Sequence, residues 1–111
     1  MDEQVGEIIN QLKDDGLYQN TVIFFFSDHG GPFPRYKRSI YDTGLKCPLI
    51  IKWIEPRNEP RNDQMINFID LAPTILELTE SEINYKMEGL SFYKQNNRDY
   101  IFASTDRFDE Y

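Results

Sequence analysis

The chain has 111 residues, of which 40% are hydrophobic and 14% aromatic, enough for one small domain with a core drawing on eight Phe, seven Tyr and one Trp. Such a composition excludes a disordered tail. The formal charge of −7 excludes a nucleic-acid binder, which must turn a basic face to phosphates, but leaves room for an anionic substrate held by a few local cations.

Residues 2–16 read as an amphipathic helix, with Val5, Ile8, Ile9 and Leu12 on one stripe, Asp2 and Glu3 suited to the first turn, and Gly16 as the stop. Thr21-Val22-Ile23-Phe24-Phe25-Phe26 follows as an unbroken apolar run, the pattern of a strand covered on both faces in the middle of a parallel sheet. It ends in Ser27-Asp28-His29-Gly30-Gly31. Residues 30–47 carry Gly, Pro and charge without periodicity, and a loop of that length is usually functional. Pro48-Leu49-Ile50-Ile51-Lys52-Trp53 is a second strand with the proline at its first position. Residues 55–64 are a polar connection. Asp70 is the expected N-cap of a helix over 71–79, with Leu71, Ile75 and Leu78 on one face and Pro73 tolerated in the first turn. After an irregular polar stretch, Tyr100-Ile101-Phe102-Ala103 reads as a short last strand. Strands alternating with helices indicate an α/β layer architecture, of which three strands and two helices make only part.

Ligands in open α/β sheets bind outside the carboxyl ends of strands, which is where Asp28 and His29 stand. A carboxylate is a hard donor for Ca²⁺ or Mg²⁺, and an imidazole adds a nitrogen ligand or an anion-binding N–H. Gly30 and Gly31 permit close backbone approach. The same triplet, Asp-His-Gly, is also an ordinary turn. Downstream, Arg35, Lys37 and Arg38 form a basic cluster, and the residues alone do not choose among a solvated face and any one cation aimed at an anion. Only Cys47 is present, so no intrachain disulfide forms and the redox compartment stays open. No apolar run approaches the ~18–20 residues of a membrane span. The acidic start Met1-Asp2-Glu3-Gln4 lacks the features of a signal peptide.

Taken together, Phe26-Ser27-Asp28-His29-Gly30, then Lys37-Arg38-Ser39-Ile40-Tyr41-Asp42-Thr43-Gly44-Leu45-Lys46-Cys47-Pro48-Leu49-Ile50-Ile51, then Phe68-Ile69-Asp70-Leu71-Ala72-Pro73-Thr74-Ile75-Leu76 resemble the later part of the catalytic domain of the sulfatase family, within the alkaline-phosphatase-like superfamily. Weaker similarity continues through Gly89-Leu90-Ser91-Phe92 and residues 101–110. The resemblance implies a partial three-layer α/β/α fold with a mostly parallel sheet. It implies a core strand and helix part over about residues 1–80, and the start of a following subdomain over about 81–111. It implies hydrolysis of sulfate esters or sulfamates, on small-molecule or glycan substrates. It makes Asp28 and His29 ligands of one divalent cation, Ca²⁺ by family habit with Mg²⁺ or Mn²⁺ as alternatives. Lys37 becomes the cation on the sulfate group and leaving oxygen, with Arg35 an accessory to substrate binding. Tyr41, Asp42 and Gly44 are expected to shape the loop. The family is often secreted, periplasmic or lysosomal, and this chain carries no targeting signal of its own.

The same resemblance exposes what is missing. The family nucleophile is a formylglycine made from the Cys or Ser of a C/S-x-P-x-R motif. At Cys47 the proline follows directly and Ile51 stands where Arg belongs, so Cys47 is expected to be structural. The paired Asp residues that complete the metal shell have no counterpart upstream of Asp28. The expectation is therefore a piece inactive by itself. Two other readings remain at this stage: a phosphonate or phosphodiester hydrolase of the same superfamily, and a small non-catalytic α/β module that binds a partner or an anion.

Overall fold

Residues 1–57, 63–82, 84–94 and 98–104 are described in the computed structural model. They fall into two units, one built on residues 1–57 and the other on residues 63–104.

In the first unit the expected helix is α1, Asp2–Asp14. Gly16, at φ 70°, ends it: its N–H donates to the Lys13 carbonyl at 3.0 Å and the Leu17 N–H donates to the Leu12 carbonyl at 2.9 Å. That pair of bonds is a Schellman closure, and it needs a residue that enters the left-handed region without a Cβ penalty. The apolar stripe of α1 is only half covered, and Ile8 is 65% exposed. A short 3₁₀ turn over Tyr18–Asn20 leads into strand β1, Ile23–Phe26. A single helical turn, α2, covers Asp42–Leu45, and strand β2 covers Leu49–Lys52.

Strands β1 and β2 pair antiparallel, with Ile23 opposite Lys52 and Phe26 opposite Leu49. The apolar run had suggested a parallel neighbour, and the connection explains the difference. A parallel crossover needs about a dozen residues or more and normally a helix packed on the sheet. Between Phe26 and Leu49 the only helix is the four-residue α2, so the chain simply turns back. Nor is β1 covered on both faces: Ile23, Phe24 and Phe25 are half-buried and Phe26 is exposed. Phe24 packs edge-on against Trp53 with ring centroids 6.0 Å apart, and the Arg57 guanidinium lies 4.4 Å over the Trp53 ring. At the other side of the pair, Lys52 Nζ donates to the carbonyls of Tyr18 at 2.5 Å and Thr21 at 3.0 Å. It also lies 4.6 Å from the Tyr18 ring centroid.

The second unit is organised by a carboxylate. Asn67 opens a 3₁₀ turn over Phe68–Asp70, which runs directly into helix α3, Leu71–Leu78. Asp70 occupies the expected N-cap position, but its side chain does not cap α3. Its Oδ2 accepts the Asn67 N–H at 2.7 Å. Its Oδ1 accepts the Leu90 N–H at 2.8 Å and the Arg98 guanidinium at 2.7 Å. The Asp70 carbonyl accepts the Thr74 hydroxyl at 2.6 Å, and the Thr74 oxygen in turn accepts the Phe92 N–H at 3.1 Å. Asp70 and Thr74 are 0% exposed and Phe92 is 2% exposed. The buried face of α3 is thus Pro73 and Thr74, while Ile75, expected inside, is exposed. Polar bonding to residues 90–92 decides which face of the helix turns inward. Beside it, the Ser91 hydroxyl donates to Glu77, and Lys94 lies 3.1 Å from the same carboxylate. The Ser91 bond first, and then Lys94, hold the Glu77 carboxyl below its usual range.

The expected strand at Tyr100–Ala103 does not form among the described residues. With no ladder partner its alternate aromatics stack on each other, Tyr100 and Phe102 edge-on at 5.2 Å, and Phe102 is 85% exposed. Asp106 and Arg107, within the weaker stretch of similarity over residues 101–110, lie outside the described residues.

Candidate active site

The end of β1 is held to the start of β2 by the Ser27 N–H, which donates to the Pro48 carbonyl at 3.4 Å. Ser27 then folds the chain over: its hydroxyl donates to the His29 carbonyl at 2.7 Å. His29 Nδ1 lies 2.6 Å from the Gly30 carbonyl. A carbonyl only accepts, so Nδ1 carries a proton, and the tautomer of the neutral imidazole that makes this bond has its lone pair on Nε2. That nitrogen is 3.5 Å from Asp28 Oδ1. Two electron-pair donors at this spacing, one of them on an exposed carboxylate, suit a shared cation. Hard cations bind oxygen at about 2.3–2.6 Å, so adjacent ligands of one ion at near-right angles lie roughly 3.3–3.7 Å from each other. The set is incomplete: among the described residues no group of three or more His, Cys, Asp or Glu could hold a metal ion, whereas such ions want six or more ligands.

Of the two glycines that follow, only Gly30 is sterically required. A Cβ there would strike the Thr43 carbonyl oxygen, while one at Gly31 would meet the Phe33 and Tyr36 rings at ordinary contact distance. The Gly30 N–H donates to the Gly44 carbonyl at 3.1 Å, which fastens the Asp28–His29 turn to α2. Tyr41 supports α2 by accepting the N–H groups of Gly44 and Leu45 at 2.8 and 3.0 Å. Gly44 itself is buried, and a Cβ there would strike the carbonyl oxygens of Tyr36 and Ser39.

Lys37 lies in the second of two tandem turns that share Tyr36. The Tyr36 N–H donates to the Phe33 carbonyl and the Ser39 N–H donates to the Tyr36 carbonyl, both at 3.1 Å. The third position of each turn is an arginine with positive φ, Arg35 at 64° and Arg38 at 63°. This is the position that type II turns reserve for glycine, with proline favoured just before it, and Pro34 precedes Arg35. Each arginine there stores about 1 kcal/mol or more of backbone strain, which only surrounding bonds can hold. The Lys37 N–H donates to the Gly31 carbonyl at 3.0 Å, and the Thr43 hydroxyl donates to the Arg35 carbonyl. The structure therefore ties the backbones of the Asp28–His29 turn and the Arg35–Lys37 loop to one helical turn. All three basic side chains of the loop are exposed. In the sequence Pro34 before Arg35 is a turn signal, whereas nothing local marks the Thr43 hydroxyl as a partner of the Arg35 carbonyl.

Cys47 is half-buried at the entry to β2. Burial, and then the negative charge of Asp28, push its thiol above the ordinary range. It is a protonated thiol at neutral pH and a poor nucleophile, which agrees with the motif mismatch around it.

Comparison with known proteins supplies the family. The model of the Sulfatase family matches residues 1–81. The chain belongs to the sulfatase family. It is 49% identical over 113 aligned residues, 98% of its length, to an ulvan-active sulfatase of Formosa agariphila, of which it covers 19%. It is 35% identical over 81 residues to the N-sulphoglucosamine sulphohydrolase of Homo sapiens, 69% of this chain and 16% of that protein. It is 33% identical over 98 residues to the N-acetylglucosamine-6-sulfatase of Bos taurus, 83% of this chain and 18% of that protein. This sulfatase-family chain thus spans less than a fifth of the length of these relatives. The family fold is an α/β one, consistent with the helices and strand pair described above, and its members generally bind a divalent metal. Among the described residues no helix is long and apolar enough to cross a membrane.

Proposed function

We infer that this chain is part of the catalytic domain of an enzyme hydrolysing sulfate esters or sulfamates, with sulfated carbohydrate as the substrate class that the named relatives favour. Residues 1–80 belong to the sheet-and-helix core of that domain and residues 81–111 open the region after it. In the complete domain the sheet is mostly parallel, and the antiparallel β1–β2 pair is a local reversal within it. Asp28 and His29 supply two ligands of the metal, Ca²⁺ being the hard cation that suits a carboxylate-rich shell. When bound, the ion supplies positive charge that draws electron density from the sulfate oxygens. Lys37 holds the anionic sulfate group and stabilises charge on the leaving oxygen, and Arg35 assists in binding. The nucleophile and the remaining ligands come from outside this chain, since Cys47 is neither in the right motif nor ionised.

One observation supports this reading above the rest: His29 Nε2, its lone pair fixed by the Nδ1 bond to the Gly30 carbonyl, faces Asp28 Oδ1 at 3.5 Å. The test uses desulfation of sulfated oligosaccharides by the longer protein that carries this segment. Lys37→Ala is expected to lower kcat/KM by about 10²-fold or more, and Asp28→Asn to abolish turnover together with tight Ca²⁺ binding. Hydrolysis of an aryl sulfate by the purified 111-residue chain would refute the assignment of the nucleophile to another segment. Wild-type activity in Lys37→Ala would remove its role.

A further inference from the structure

We propose that Thr43 is a positioning residue that sets the Lys37 loop at a fixed distance from the Asp28–His29 turn. The inference rests on the sulfatase reading for its functional meaning, and on backbone geometry for its substance. Two segments must be brought together if a cation bound at Asp28 and His29 and the ammonium of Lys37 are to meet one anion. They are joined by few bonds. One is direct, the Lys37 N–H donating to the Gly31 carbonyl. The others run through residues 43 and 44. The Thr43 hydroxyl donates to the carbonyl of Arg35, the left-handed third residue of the first of the tandem turns. The Thr43 carbonyl lies so close to the Gly30 Cα that no Cβ fits between them. The next carbonyl, that of Gly44, accepts the Gly30 N–H. Gly44 also lies against the carbonyls of Tyr36 and Ser39, with no room for a side chain. One residue therefore touches the metal-side turn with its backbone and the anion-side loop with its side chain.

The consequence is specific to the hydroxyl. Arg35 and Arg38 hold φ values of 64° and 63° that an arginine leaves when nothing retains it. Without the Thr43 bond the first turn is free to relax, and Lys37, two residues further on, moves with it. Valine has the shape of threonine and lacks the donor, whereas serine keeps the donor and loses only a methyl group.

Amide hydrogen exchange on the full chain, read residue by residue by NMR, tests this directly. In Thr43→Val the Tyr36 and Lys37 amides are expected to exchange about tenfold faster, the scale of one lost hydrogen bond, while those of the β1–β2 ladder keep their wild-type rates. Thr43→Ser is expected to restore Tyr36 and Lys37. Unchanged exchange at Lys37 in Thr43→Val overturns the proposal, and so does a uniform increase across Lys37 and the β1–β2 ladder, which marks a merely structural role. If the valine variant does not fold, failure of Thr43→Ser to match wild type at Lys37 overturns it equally. Titration of the wild-type chain with inorganic sulfate separates the two readings. A silent Lys37 there counts against the sulfate-binding role, while the exchange pattern alone decides the role of Thr43.

Discussion

Replacing Asp70 by Asn changes one atom and is expected to undo the second unit. In the native structure the two carboxylate oxygens face donors on both sides, the Asn67 N–H on one and the Leu90 N–H with the Arg98 guanidinium on the other. An asparagine amide has one oxygen and one NH₂ group. Whichever way it is turned, the NH₂ confronts an N–H at less than 3 Å, and the guanidinium of Arg98 loses the Asp70 charge 2.7 Å away. Removing one partner of a buried, hydrogen-bonded ion pair costs about 3–5 kcal/mol. A unit the size of residues 63–104 has a total stability of roughly 2–6 kcal/mol at the usual value per residue. Most of it is therefore lost. The assay is urea unfolding followed at the Leu90 and Phe92 amides, which report the Asp70 and Thr74 bonds directly. The expected midpoint for Asp70→Asn lies near or below zero denaturant, while Asp70→Leu combined with Arg98→Met, which removes both charges, recovers a measurable transition. A loss under about 1 kcal/mol in Asp70→Asn, with Leu90 still protected, would show that the carboxylate is not what holds Leu90 and Arg98 to the start of α3.

Three further outcomes follow from the same geometry. Gly30→Ala forces its new methyl into the Thr43 carbonyl and is expected to cost about 2 kcal/mol or more, seen as a lowered midpoint of the first unit and loss of Gly30 amide protection. Asp28→Asn removes the negative charge that is the second cause of the raised Cys47 pKa, so alkylation of Cys47 by iodoacetamide at pH 8 is expected to quicken; an unchanged rate would leave burial as the sole cause. Glu77 has a folded-state pKa depressed below its ordinary value. Its contribution to stability is therefore present above about pH 4.5 and is lost as pH falls through the lower folded value. Ser91→Ala, which deletes the largest cause, is expected to shrink that acid-side loss in a pH series of unfolding midpoints.

Local signals made the start of the molecule legible. The 3.6-residue stripe and Gly16 place α1 and its end because helix periodicity and a left-handed stop are written in adjacent residues. The apolar run before Ser27-Asp28-His29-Gly30 likewise locates the end of β1, and with it the candidate site. What pairs with that strand, and in which direction, depends on the length and path of residues 27–48, where propensity says little. Asp70 shows the same boundary from another side. A helix-capping acid was a reasonable expectation at its position, and Oδ2 does accept the nearby Asn67 N–H, but the partners of Oδ1 are Leu90 and Arg98, 20 and 28 residues away. No local pattern announces a carboxylate recruited over such distances. Thr43 lies in between: Gly44 and Tyr41 could be read as loop-shaping residues, whereas the hydroxyl bond to the Arg35 carbonyl exists only once the tandem turns have formed.

The contacts of Lys52 bear on how β1 and β2 find each other. Ile-Phe-Phe-Phe faces Leu-Ile-Ile-Lys, and two apolar stretches without alternation would tolerate sliding, since a shift changes few of the side chains meeting across the ladder. The ammonium does not tolerate it. Anchored to the carbonyls of Tyr18 and Thr21 just ahead of β1, Lys52 acts as a gauge pin: a slip of two residues carries it about 6–7 Å along the ladder, out of reach of those carbonyls. Alignment is thereby fixed by one charge at the end of β2, and the same pin keeps Leu49 opposite Phe26 at the other end, where the chain departs toward Asp28.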